Sequence, residues 1–101
     1  MFLFGDSQFD NGNNNLLITK SKSNYRPYGI DYPDGPTGRF SNGRVIPDFL
    51  AQFLGFAKPI SPFVTARDSH ILRGVNYASG AAGILDETGV LSVINDISEC
   101  K

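Results

Sequence analysis

The sequence is short of the groups that would place it quickly. Tryptophan is absent, and cysteine, histidine and methionine each occur once among 101 residues. Cys100 has no second thiol to pair with, so no intrachain disulfide forms and no redox compartment can be read. No run of ~18 apolar residues occurs, so nothing in the chain reads as a membrane span. The apolar run after Met1 is Phe2-Leu3-Phe4, whereas the core of a secretory signal needs roughly seven residues. Charge of either sign is not in excess: nine Lys and Arg against ten Asp and Glu give a net charge of −1. The basic residues are scattered, which leaves no footprint for nucleic acid. Several chemical motifs are missing as well. There is no Asn-x-Ser/Thr sequon, no Gly-x-Ser-x-Gly elbow, no G-x-G-x-x-G and no phosphate-binding Gly-Lys-Ser/Thr. Asp6 and Asp10 among asparagines resemble a calcium loop, but the glycine that such a loop requires is misplaced.

What remains is a globular composition, 41% hydrophobic and 19% charged, in a length that allows one small domain. Phe2, Leu3 and Phe4 read as a short buried strand that stops at Gly5. The polar cluster Asp6, Ser7, Asp10 and Asn11 follows at once. In open α/β sheets, ligands bind at the carboxyl ends of strands. Ser7 therefore has two readings: an ordinary helix N-cap, or a nucleophile whose own amide helps to hold an oxyanion.

Residues 25–44 contain three prolines and four glycines with Pro-Asp-Gly-Pro and Asn-Gly turn chemistry, and no periodic pattern survives there. Tyr25, Tyr28, Tyr32 and Phe40 predict an ordered loop packed by its own rings, either as structure alone or as a rim beside a substrate. Ile46, Phe49, Leu50, Phe53 and Leu54 then fall on one helical stripe. Ser41 or Asn42 would cap this helix, Pro47 suits its first turn, and Gly55 ends it. The stripe predicts a scaffold helix covering a sheet face. Residues 56–73, with Pro59 and Pro62, read as an irregular connection. Val75 to Ala78 reads as a second strand, broken by Ser79-Gly80. Gly80 serves either close strand–helix packing or close approach of a ligand to the backbone.

Two stretches carry a resemblance. Gly5-Asp6-Ser7-Gln8-Phe9-Asp10-Asn11-Gly12-Asn13-Asn14 resembles the opening block of the plant GDSL esterases/lipases, in the SGNH hydrolase superfamily, with Gln8 where that family usually has Leu. Gly74-Val75-Asn76-Tyr77-Ala78-Ser79-Gly80 is similar to its second block, and Tyr-Gly-Ile-Asp with Gly-Pro-Thr-Gly-Arg-Phe-Ser-Asn-Gly-Arg supports the match in between. The resemblance covers residues 2–89. It divides the chain into residues 1–89, the N-terminal part of a hydrolase domain, and residues 90–101, a divergent tail. It implies a flavodoxin-like α/β/α sandwich, of which this chain holds the first two parallel strands. It also implies a hydrolase cleaving carboxylic esters of lipids or acylated small molecules without metal or cofactor, in a family that is typically secreted. Ser7 would be the nucleophile, and the amides of Ser7 and Gly80 would form the oxyanion hole. The family commonly has a second glycine where this chain has Ala81, which predicts a small shift of that loop.

The family's general base and its orienting acid come from a later Asp-x-x-His block, and a further oxyanion donor comes from a Gly-x-Asn-Asp block. Neither is present. Asn95-Asp96 has Val93 at the glycine position, and His70 has its acid two residues before it rather than three. The expectation is a truncated gene model or a clipped product that has no appreciable esterase activity by itself. A two-strand fragment with an uncovered sheet edge is also expected to be marginally stable or to self-associate. The rival reading is a non-catalytic relative that keeps the surface for binding.

Overall fold

The computed structural model describes residues 1–85, 87 and 88. Two short strands pair in parallel, β1 (Phe2–Leu3) and β2 (Val75–Asn76), with Phe2 opposite Val75 and Leu3 opposite Asn76. The pairing continues past the strands, because Tyr77 N–H donates to the Leu3 carbonyl at 2.8 Å and Ser79 N–H to the Gly5 carbonyl at 3.0 Å. On its other side β2 forms a parallel bridge to Pro62. Gly74, at φ +130°, admits the chain into β2 where a Cβ would stand 1.6 Å from the Met1 carbonyl oxygen. Only glycine fits there.

Helix α1 (Ile46–Phe53) lies in the connection between the strands. Its N-terminus is closed from within. Asp48 accepts the Val45 N–H at 2.9 Å while its own N–H donates to the Val45 carbonyl, so Ser41 and Asn42 are not the cap. Ser41 instead closes a turn onto Gly43 and Arg44. At the other end Gly55 takes φ +88°; its N–H donates to Gln52 and Phe56 N–H to Ala51, a Schellman stop. Gly55 ends the helix as expected.

The buried face of α1 differs from the expected one. Pro47, Asp48 and Ala51 are buried, and Ala51 packs with Leu3 and Ile60 in the hydrophobic core. The predicted stripe faces outward, with Phe49 56% and Phe53 88% exposed. The reason is electrostatic. Arg39 is buried and makes two hydrogen bonds to the Asp48 carboxylate, at 3.1 and 3.2 Å, with Tyr32 stacked 4.1 Å from the guanidinium. A buried ion pair separated by rotating the helix would leave two uncompensated charges, so Asp48 fixes which side turns inward.

The connection 56–73 is more regular than expected, since it holds a 3₁₀ turn at Phe63–Thr65 and helix α2 (Asp68–Ile71). Loop 25–44 is ordered, with Tyr28 in edge-on contact with Tyr25 and Phe40, and with Gly29 and Asp31 bonded across to Ser41 and Asn42. The tail 90–101, with Asn95, Asp96 and Cys100, lies outside the described residues.

The inward face of α1 can be tested directly. Ala51→Leu overfills the contact with Leu3 and should cost about 1–3 kcal/mol, whereas Phe53→Lys should change stability by less than about 0.5 kcal/mol. Urea midpoints of the two variants decide it; the opposite order would put the apolar stripe inside.

Candidate active site

The site is built where β1 and β2 run out. Past Gly5 the chain turns at once: Phe9 and Asp10 N–H groups both donate to the Asp6 carbonyl, and Gln8 N–H donates to the Asp6 side chain at 3.0 Å. Ser7 is the first residue inside this turn and is half-buried. Among the described residues, neither its Oγ nor its N–H meets a partner. Of its two readings, the turn excludes the N-cap one, because no helix begins there and Asp6 supplies the local side-chain bond.

Past Asn76 the second strand reaches its own corner. Ala82 N–H donates to the Ser79 carbonyl at 3.0 Å, closing a four-residue turn. Ala81 takes φ +66° at its third position, the left-handed region that type II turns require there. The turn therefore forms with alanine in the left-handed position. Gly80 is buried, and a Cβ on it would lie 2.5 Å from the Phe40 ring and 2.9 Å from Asn14 Nδ2. Gly80 thus satisfies the packing reading of its glycine.

The two corners are joined by buried side chains from residues 10–14. Asp10 is fully buried. Its Oδ1 accepts Gly12 and Asn13 N–H at 2.8 Å each, and its Oδ2 accepts the Gly80 N–H at 2.8 Å. Asn14 donates to the Gly80 carbonyl at 3.0 Å and to the Ser21 carbonyl at 2.7 Å, and its Oδ1 accepts from the Ser79 hydroxyl. Asn13 spans the Asn76 and Ala78 carbonyls. Asn76 in turn holds the Phe9 carbonyl and Asn11 Oδ1. These asparagines add side-chain bonds to the backbone ladder, and those of Asn13 and Asn76, with the Asn14 bonds to Ser79 and Gly80, cross from the first motif to the second. Their spacing in Asp-x-Gly-Asn-Asn was visible in the sequence; that they pin the second corner was not.

An open hollow of ≈ 650 Å³ lies at this end of the sheet, with Gly5, Asp6 and Gln8 on one wall and Ala82 and Gly83 on another. Its floor is apolar, where Phe4 stacks on Tyr77 at 5.2 Å. His70 lies on α2, before β2 begins, and its side chain is outside the description.

Comparison with known proteins decides the family. The profile of the GDSL-like Lipase/Acylhydrolase family matches residues 1–100. The chain belongs to that family. It is 62% identical over 89 residues to GDSL esterase/lipase At1g33811 of Arabidopsis thaliana, covering 88% of this chain and 24% of that protein. It is 64% identical over 87 residues to GDSL esterase/lipase At4g30140 of the same plant, covering 86% and 25%. The chain therefore spans about a quarter of the length of these relatives. No solved structure matches it. Family membership implies an α/β fold of the SGNH type, and the parallel β1–β2 pair with its α1 connection agrees with that.

Asn14 offers a test of the cross-link between the motifs. Asn14→Ala removes its bonds to the Ser21 and Gly80 carbonyls and to the Ser79 hydroxyl, and should destabilise the chain by about 2–3 kcal/mol. Urea unfolding measures the loss; a change under about 0.5 kcal/mol would mean that the corners hold without it.

Proposed function

We propose that this chain is the nucleophile-bearing portion of a GDSL-type carboxylic ester hydrolase with a full α/β/α sandwich. The reading is supported by one observation above the rest. The 3.0 Å bond from Ser79 N–H to the Gly5 carbonyl lays the Ser7 turn and the Gly80 corner side by side at the carboxyl end of the sheet.

In the proposed reaction the Ser7 oxygen bonds to the ester carbonyl carbon and its proton passes to a histidine base. That base, with its aspartate, belongs to the Asp-x-x-His block expected from the family and lies outside the present sequence. The carbonyl electron pair moves to oxygen, and the oxyanion accepts hydrogen bonds from the Ser7 amide and from the Gly80 corner. Collapse expels the alcohol, which takes the proton, and water then cleaves the acyl-enzyme by the same steps. Water is the only co-reactant. The apolar floor of Phe4 and Tyr77 suits the acyl chain of a lipid or an acylated small molecule, and lipid breakdown outside the cell fits the family resemblance. Among the described residues no helix is long and apolar enough to cross a membrane.

The outward α1 stripe and the exposed Phe4 favour a second reading for a chain of this length acting alone, a binding surface without chemistry. One experiment separates the two. Residues 1–88 are fused to the region that follows the matched segment in GDSL esterase/lipase At1g33811, and both proteins meet a fluorophosphonate and a short-chain p-nitrophenyl ester. The fusion should turn over ester and be labelled at Ser7, and Ser7→Ala should abolish both. The 101-residue chain alone should do neither, since loss of the base removes most of the rate enhancement of a triad. An inactive, folded fusion would favour the binding surface.

A further inference from the structure

Resting on the esterase reading, we infer that the second oxyanion donor of this chain is the Ala81 N–H, and that the Gly80 N–H is spent on holding Asp10. The Gly80 N–H already donates to Asp10 Oδ2 at 2.8 Å, and both residues are buried. An incoming oxyanion would have to displace a carboxylate that also binds Gly12 and Asn13. It would gain a donor facing a buried negative charge. Both effects oppose it.

The next peptide has the opposite orientation. The Gly80 carbonyl is held by Asn14 Nδ2 at 3.0 Å. In a trans peptide the C=O and the following N–H point in opposite directions, so the Ala81 N–H points away from buried Asn14. Ala81 is exposed, and among the described residues its N–H meets no acceptor. The left-handed φ of +66° at Ala81 keeps that peptide flipped. Ala81 immediately precedes Ala82, which walls the same hollow as Asp6 and Gln8, the neighbours of Ser7 on either side.

The roles divide accordingly. Asp10 and Gly80 are positioning residues, and the N–H groups of Ser7 and Ala81 touch the reacting oxygen. Gly80 is glycine because the Phe40 ring and Asn14 leave no room for a Cβ.

Two measurements test the assignment. In the 101-residue chain, amide hydrogen exchange followed by NMR should find Gly80 protected on the order of a hundredfold more than Ala81. A protected Ala81 beside a freely exchanging Gly80 would overturn it. In the At1g33811 fusion, lactic acid at position 81 or glycolic acid at position 80 replaces one amide N–H with an ester oxygen. The ester at 81 should lower kcat about 10²–10³-fold with KM little changed. The ester at 80 should act mainly on stability. If the ester at 80 is the one that cripples kcat while that at 81 is tolerated, the assignment fails and the esterase reading survives. A folded fusion in which Ser7→Ala changes nothing would remove both.

Discussion

Asp10 binds both halves of the site with one buried carboxylate. One oxygen gathers the Gly12 and Asn13 amides that follow the first strand, and the other takes the Gly80 amide that follows the second. Hydrogen bonds to an ionised group contribute about 1.5–3 kcal/mol each, and this carboxylate accepts three of them from backbone amides. The ladder bonds end at Gly5 and Ser79, short of the Ser7 turn and the Gly80 corner. The carboxylate and the asparagines beside it link the chain beyond that point. The spacing between the Ser7 turn and the Gly80 corner is therefore set by side chains reaching across, and the sheet ladder only brings them within reach.

This division explains which parts of the chain were legible in its sequence. The stop at Gly5, the break at Ser79-Gly80 and the helix end at Gly55 are announced by local chemistry, so these boundaries read correctly; the burial expected of Phe2-Leu3-Phe4 does not hold, because only Leu3 faces the core and Phe2 and Phe4 are exposed. The closeness of the two corners follows from strands that are parallel, since both carboxyl ends then lie on one side. The face of α1 was not legible, because an apolar stripe counts toward burial only if something is there to cover it. Here the deciding group is Asp48, whose partner Arg39 arrives from an irregular loop that no periodicity describes. The left-handed turn at Ala81 was equally hidden. It depends on Asn14 pulling the Gly80 carbonyl inward, a contact across 66 positions of sequence.

The loop 25–44 gains a structural role from the same geometry. Its Phe40 ring sits against Gly80, its Arg39 sets the helix face, and its Tyr32 stacks on that arginine. Of its two expected roles, packing by its own rings is the one these contacts express. Its influence on the site passes through Phe40, whose ring packs against Gly80.

The surfaces left open carry the last step. Side chains alternate across a strand, so Leu3 turns toward Ala51 while Phe2 and Phe4 turn to the opposite face, 58% and 71% exposed. Tyr77 and Phe63 extend that face, their rings 5.2 Å apart. Parallel sheets are stable when helices cover both faces, and α1 covers only one. A chain that spans a quarter of its relatives would leave these surfaces: one sheet face floored with aromatic rings and one helix stripe turned outward. The hollow floored by Phe4 and Tyr77 belongs to that same face. In a longer chain, whatever packs against these rings would also form the far wall of the site, so completing the fold and completing the pocket would be a single event.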